Sequence, residues 1–203
     1  MSTTTFLGAR RVRVLAMSAL CAMFLACGRD AGERVVDAAS DPHPTVTPSD
    51  ARVIIMMIDG PRYSETFGDA LHTHVPSMWN SLRPLGTLCT NFRNLGETIT
   101  NPGHGTLLSG VIQHIDNQGI MRIPDPTLFE YYRKATGASL SDAVLVTGKA
   151  KLDAVAYSTS AAYGAAYRAT SDVDTQIDID TYDHLIQHID QDSPHLVLCS
   201  LSD

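Results

Sequence analysis

Two residues carry the chemistry that this sequence could support, Asp59 and Thr100. Asp59 closes the apolar run Arg52-Val-Ile-Ile-Met-Met-Ile58 and is followed by Gly60, which permits a tight turn. A carboxylate at the tip of a buried strand is a hard oxygen ligand, suited to zinc, magnesium or manganese. Thr100 opens the polar, turn-rich segment Thr100-Asn-Pro-Gly-His-Gly-Thr-Leu-Leu-Ser-Gly110. Its hydroxyl is almost wholly protonated at neutral pH, and a divalent metal would ionise it and align it for in-line attack on an ester. The helix after Pro102 and Gly103 would offer free backbone N–H groups to a substrate's oxygens. Asp and Thr are also favoured helix caps, which is the alternative reading of each.

Other side chains could assist. Asn101 could donate to a phosphoryl oxygen. Lys149 and Lys151 follow Thr147-Gly148 at a spacing of two and can face a bound phosphate, the alternative being a solvated surface pair. Thr98 is a competing hydroxyl, and His104 is expected to pack behind the turn more than to bind metal. Asp172, Asp174, Asp178, Asp180 and Asp183 lack the Gly and Glu spacing of an EF-hand and read as a solvated acidic loop. His184 and His188 stand one helical turn apart without the intervening Glu of a zinc protease.

The elements that must position these residues alternate in type. Val53–Ile58 reads as a central strand covered on both faces. Val75–Leu82 reads as a short helix with Pro76 in its first turn, ending near Gly86, and Thr87–Phe92 as a strand. A helix is expected to begin over Gly105–Ile112, and an amphipathic one over Pro126–Thr136, stopped by Gly137. Ala143–Thr147 and His195–Leu201 are further buried strands, with a helix over Tyr182–Asp190 between them. Strand and helix in this alternation predict an α/β fold with a mainly parallel sheet. Ligands of such sheets sit beyond the carboxyl ends of the strands, where Asp59, Lys149 and Asp203 all fall.

The 203 residues suffice for one domain with a sizeable core. Residues 1–26 read as an export signal, with Arg10, Arg11 and Arg13 ahead of the apolar stretch Val14–Ala26. That stretch is shorter than the roughly 20 residues of a spanning helix. Cys27, preceded by Phe24-Leu-Ala26 and followed by Gly28, resembles a bacterial lipoprotein cleavage site, although Phe24 stands where Leu is usual. Lipidation of Cys27 would tether the protein to a membrane face; ordinary secretion is the alternative. Residues 27–51, with Pro42, Pro44 and Pro48, read as a flexible tether, leaving 52–203 as the folded region. The formal charge is −7, and loss of residues 1–26 with their three arginines takes it to −10. Such a surface repels a phosphate backbone and argues against a nucleic-acid-binding role. Cys89 and Cys199 remain, as a bridge or as two core thiols.

Val53-Ile-Ile-Met-Met-Ile-Asp59-Gly60-Pro-Arg62 together with Thr98-Ile-Thr100-Asn-Pro102-Gly-His104 resembles the alkaline phosphatase superfamily, in its secreted phosphomonoesterase and type I phosphodiesterase/nucleotide pyrophosphatase branches. The resemblance runs from about Val53 to Asp203 and implies a three-layer α/β/α sandwich. It implies a metal-dependent, extracytoplasmic hydrolase of small phosphate esters, with two divalent metal ions, zinc foremost, and a covalent phosphothreonine intermediate. Thr100 becomes the nucleophile and, with Asp59, a metal ligand; Asn101 becomes a substrate contact. Lys149 and Lys151 stand where some phosphomonoesterases carry Lys-x-Arg, although Lys lacks the bidentate fork of Arg. Three departures stand beside it. Gly103 occupies the place of the phosphodiesterase Asn, Gln118 falls within the usual His-Gly-Ile, and the Asp-x-x-x-His, Asp-His and His ligands of the family are not found before Asp203. The chain thus corresponds to the family's N-terminal part, apparently truncated. The protein is expected to be periplasmic or anchored as a lipoprotein at the outer membrane of a bacterium. A phosphodiesterase or phosphonate hydrolase, or an inactive tethered fragment that binds a partner, are the alternatives.

Overall fold

The computed structural model describes residues 51–173, 175 and 177–202. The expected export signal, the lipidation site Cys27, the tether up to residue 50, Asp174 and Asp203 lie outside them. The chain divides into two compact units. Within the described residues one is Ser77–Arg93, and the other is residues 51–76 with 94–202.

The larger unit is α/β, built on a four-stranded, wholly parallel sheet. Its strands are β1 (Val53–Ile58), β2 (Ala143–Thr147), β3 (Thr170–Val173) and β4 (Leu196–Leu201), in the order β1-β4-β2-β3. Register is set by Val53 and Ala143 both lying beside Leu196, and by Val144 beside Thr170. The three helices α1 (Thr100–Ser109), α2 (Leu128–Thr136) and α3 (Asp178–Gln191) complete the unit's main elements.

The period of two along each strand separates two apolar clusters. Ala143, Leu145, Leu196 and Leu198 point to one face, with Ile55 and Met57 of β1, and meet Leu108 of α1 and Phe129 of α2. Val144, Val146, Val197 and Cys199 point to the other and meet Leu185 and Ile189 of α3. The side chain of Phe129 is fully buried, a burial that contributes about 1.5–3 kcal/mol.

Local chemistry explains the helix limits. In α2, Thr127 accepts from the Glu130 N–H while Glu130 accepts from the Thr127 N–H, a capping box, and Gly137 ends the helix in the left-handed conformation at φ 74°. Asp178 and Asp180 start α3, where carboxylates complement the helix dipole, four residues earlier than the apolar pattern predicts. In the smaller unit, the π-helical turn Met78–Leu82 and the 3-10 turn Arg83–Leu85 follow Pro76, ending at Gly86 as expected. The Arg83 guanidinium lies 4.0 Å from the Trp79 ring centroid.

Several expectations are corrected. β1 ends the described sheet instead of lying at its centre, and Ile54, Met56 and Ile58 remain 43–49% exposed. An apolar run records two apolar faces, not the number of neighbouring strands. Thr87–Phe92 is not a strand: it pairs with no other segment among the described residues, and Phe92 is exposed. The acidic loop is in fact structured, with Asp172 in β3 and Asp178, Asp180 and Asp183 on α3. Of the two readings of the cysteines, a bridge or two core thiols, neither holds whole: both are free, Cys199 is buried with its pKa pushed up to about 11 by burial, and Cys89 is exposed. No helix among the described residues is long and apolar enough to cross a membrane.

Candidate active site

The Asp59 N–H donates to the Leu201 carbonyl at 2.9 Å, one step beyond the β1–β4 ladder. The sheet thus fixes the backbone from which the carboxylate projects. Capping is not its role, because the cap of the next helical turn, Tyr63–Glu65, is Arg62. Across β4, Lys149 follows the end of β2, and its ammonium donates to Asp59 Oδ2 at 2.6 Å. The pair therefore spans the carboxyl end of β4. The Lys149 hydrogen bond, working against burial, holds the Asp59 carboxyl below the usual carboxylate range.

Thr100 is the first helical residue of α1, not part of a preceding turn. Ile99 occupies the cap and offers no side-chain cap, so Thr100 is not the capping residue either. Its hydroxyl makes no hydrogen bond among the described residues. Proline is tolerated in a first turn because its absent N–H would have no helical partner there. That also removes a donor a substrate could use, and the Asn101 N–H is taken by Asn117 Oδ1 at 3.0 Å, while that of Gly103 goes to the Ile99 carbonyl. The expected row of free N–H groups thus reduces to that of Thr100.

His104 joins α1 to the sheet. Its Nδ1 lies 2.8 Å from the Thr100 carbonyl and its Nε2 3.0 Å from Ser200 Oγ near the end of β4. A carbonyl only accepts, so Nδ1 carries the proton and Nε2 accepts from Ser200. Burial pushes the His104 pKa down, and the charges of Lys149 and Lys151 add to the effect while Asp59 and the Thr100 carbonyl oppose it. Neutral, with both nitrogens committed, this ring is neither a metal ligand nor a base as it stands.

Asn101 is fully buried, and its amide donates to the Lys151 carbonyl at 2.9 Å. Its side chain thus fastens the lysine segment from beneath and does not face outward as expected of a substrate contact. The Lys151 ammonium lies 3.3 Å from Asn117 Oδ1, the atom that also receives the Asn101 N–H. Asn117 itself sits in a loop organised by Asp116, which accepts from the N–H groups of Gln118, Ile120 and Met121. Asp59 and Lys149 are therefore paired directly, Lys151 is joined to the first turn of α1 through Asn101 and Asn117, and His104 of that helix feels the charges of Lys149, Asp59 and Lys151.

Asn117 and Ser200 were missed in the sequence. A polar residue within the apolar run His195–Leu201 is the available signal for Ser200, and the Asp-Asn-Gln-Gly turn for Asn117. His184 and His188 lie elsewhere. Both meet Asp172 Oδ2, at 2.9 and 3.1 Å, and His188 also meets Asp192.

Asp59 and Thr100 fit a hard divalent cation in kind, as one partly exposed carboxylate and one uncommitted hydroxyl, and the Lys149 ammonium already holds a positive charge against Asp59. In number they are two donors, where zinc takes four. No group of three His, Cys, Asp or Glu side chains able to hold a metal exists among the described residues. Comparison with protein-family models, curated proteins and solved structures found no match.

Proposed function

We propose that this chain carries the nucleophile and phosphate-binding part of an extracytoplasmic hydrolase of small phosphate esters, with the three-layer α/β/α sandwich of the alkaline phosphatase superfamily. The observation that carries the reading is the meeting of the Asp59–Lys149 pair with the first turn of α1 at the carboxyl ends of parallel strands. A divalent cation, were one bound, would be held by Asp59 and Thr100 and would supply the charge that stabilises an ionised hydroxyl. Thr100 Oγ forms the bond to phosphorus as the bond to the leaving oxygen breaks, and the departing alcohol takes up a proton. Water then cleaves the phosphothreonine, restoring the hydroxyl and releasing inorganic phosphate. Lys149 and Lys151 orient the phosphoryl oxygens, while Asn101 and His104 hold the backbone around Thr100.

The two ammonium groups favour a monoester, whose terminal oxygens carry more charge than those of a diester. Thr100→Ala in the full-length protein tests the reading with 4-nitrophenyl phosphate and its bis-ester. Turnover is expected to vanish, and the monoester to be preferred by the wild type. Retained turnover removes the nucleophile assignment, and a diester preference moves the protein to the phosphodiesterase branch.

A further inference from the structure

A cleft of about 310 Å³ lies apart from the candidate active site, its walls including Arg122, Asp153, Tyr157, Arg168 and Ser171. Leu140 and Ala169, which also line it, precede β2 and β3, so it sits by the amino ends of these strands, whereas Lys149 follows the carboxyl end of β2. Arg122 is fixed within it. One guanidinium nitrogen donates to the Asp153 carbonyl at 2.6 Å, another to the Asp153 carboxylate at 2.5 Å, and the group lies 3.7 Å from the Tyr157 ring centroid. Arg168 is fastened through its backbone, whose carbonyl receives Arg133 Nη1. Its exposed guanidinium makes no hydrogen bond or ion pair among the described residues, although its charge reaches Asp153. The Ser171 hydroxyl is buried near Asp153 without a hydrogen bond of ordinary geometry.

Two guanidinium groups against one carboxylate leave the cleft with one positive charge in excess, and the planar fork of Arg168 is unspent. A single carboxylate balances that charge and matches the fork, whereas a phosphate monoester, at a charge of about −1.5 to −2, exceeds it. The volume stands at the lower end of small-molecule sites, about 300–1,000 Å³. Leu140, Ala156 and Ala169 give the lining an apolar part. We infer that this cleft binds a small organic monocarboxylate, its carboxylate on Arg168 and its body against Leu140 and Ala169. Arg122, held between Asp153 and Tyr157, gives the wall a fixed shape. The inference involves neither Asp59 nor Thr100 and stands without the proposed hydrolase.

The test is binding of 4-fluorobenzoate to the full chain by fluorine NMR line broadening, for wild type, Arg168→Gln and Arg168→Lys, with folding checked by circular dichroism. 4-Fluorobenzamide serves as the uncharged probe. Wild type should bind the carboxylate in the millimolar range, as a ligand of this size allows, and the amide not measurably. Arg168→Gln should weaken binding about three- to tenfold, and Arg168→Lys, which keeps the charge without the fork, should fall between them. The Arg168 side chain makes no hydrogen bond in the fold, so these variants leave the cleft standing. No binding by wild type, equal binding by Arg168→Gln, or equal binding of the amide overturns the inference. Stronger displacement of the probe by phenyl phosphate than by benzoate overturns the carboxylate assignment.

Discussion

Gly119→Ala gives the sharpest check on how the lysine segment is held. Gly119 has φ of 83°, and a Cβ placed there would lie 2.7 Å from the Lys151 carbonyl oxygen and 2.8 Å from its Cα. These are backbone atoms, so no side-chain rotation relieves the overlap. Alanine in the left-handed region costs about 1 kcal/mol, and forcing packed backbone apart adds about 1–3 kcal/mol. Gly137→Ala separates the two costs, because Gly137 has φ of 74° with nothing within 4 Å of its Cβ position. It should lose only the conformational part. With a urea m-value of about 2 kcal/mol/M, the Gly119 variant should unfold about 0.5–1.5 M earlier than the Gly137 variant. The same displacement strains the Asn101 amide bond to the Lys151 carbonyl, 2.9 Å in the native protein. Equal urea midpoints for the two variants would refute the close approach and the support it gives to the site.

Two further outcomes follow from one buried and one half-buried carboxylate. Glu130 is fully buried and accepts from Thr127 N at 2.7 Å, Ser158 N at 3.0 Å and Ser158 Oγ at 2.7 Å. Glu130→Ala strands these donors and should cost about 3 kcal/mol, lowering the thermal midpoint by roughly 6–12 °C; a loss under 1 kcal/mol would contradict the accounting. Asp142 receives Tyr132 Oη and His195 Nδ1, each at 2.6 Å. Burial draws its pKa up, but these hydrogen bonds outweigh it and leave the carboxyl below its ordinary value, while burial first and then Asp142 push Tyr132 up to about 12. A depressed folded pKa gives stability that is present above the unfolded value near 4 and is lost as pH falls through the lower folded one. Asp142→Asn should therefore be about 1 kcal/mol less stable at neutral pH, with the gap closing below about pH 4. Parallel urea-midpoint curves for the two proteins across that range would remove Asp142 from the acid response.

How far the fold was legible depended on whether an element's evidence lies within its own residues. Val53–Ile58, Ala143–Thr147 and Leu196–Leu201 are apolar runs and were read as strands from composition alone. β3 was invisible because Thr170-Ser-Asp-Val is mostly polar; pairing with β2 makes it a strand. Thr87–Phe92 shows the converse, β-forming residues without a partner. α1 was read as a turn up to Gly105 because it contains Pro102, Gly103 and Gly105. Burial holds it instead: a Cβ on Gly105 would fall 2.9 Å from Ile123 Cγ2, so the small residue lets helix and chain approach.

The candidate site divides along the same line. Asp59 and Lys149 were legible because strand ends announce themselves, whereas the arrangement around Thr100 was not, since it depends on a contact between residues 96 positions apart. His104 presents a helix residue with a ligand-like side chain, which the sequence reading assigned to packing more than to metal, without its partners. The proton on Nδ1 follows from the Thr100 carbonyl, the acceptor role of Nε2 from that proton, and the neutral state from burial reinforced by two lysines. A protonated ring would have a second donor facing Ser200 and would require its hydroxyl to turn away. Because the neutral ring satisfies both contacts, the first turn of α1 is registered against the end of β4 by a side chain, without a capping residue. Thr100 is therefore positioned through His104 and Ser200 from the end of β4, the strand whose Leu201 carbonyl also receives the Asp59 N–H.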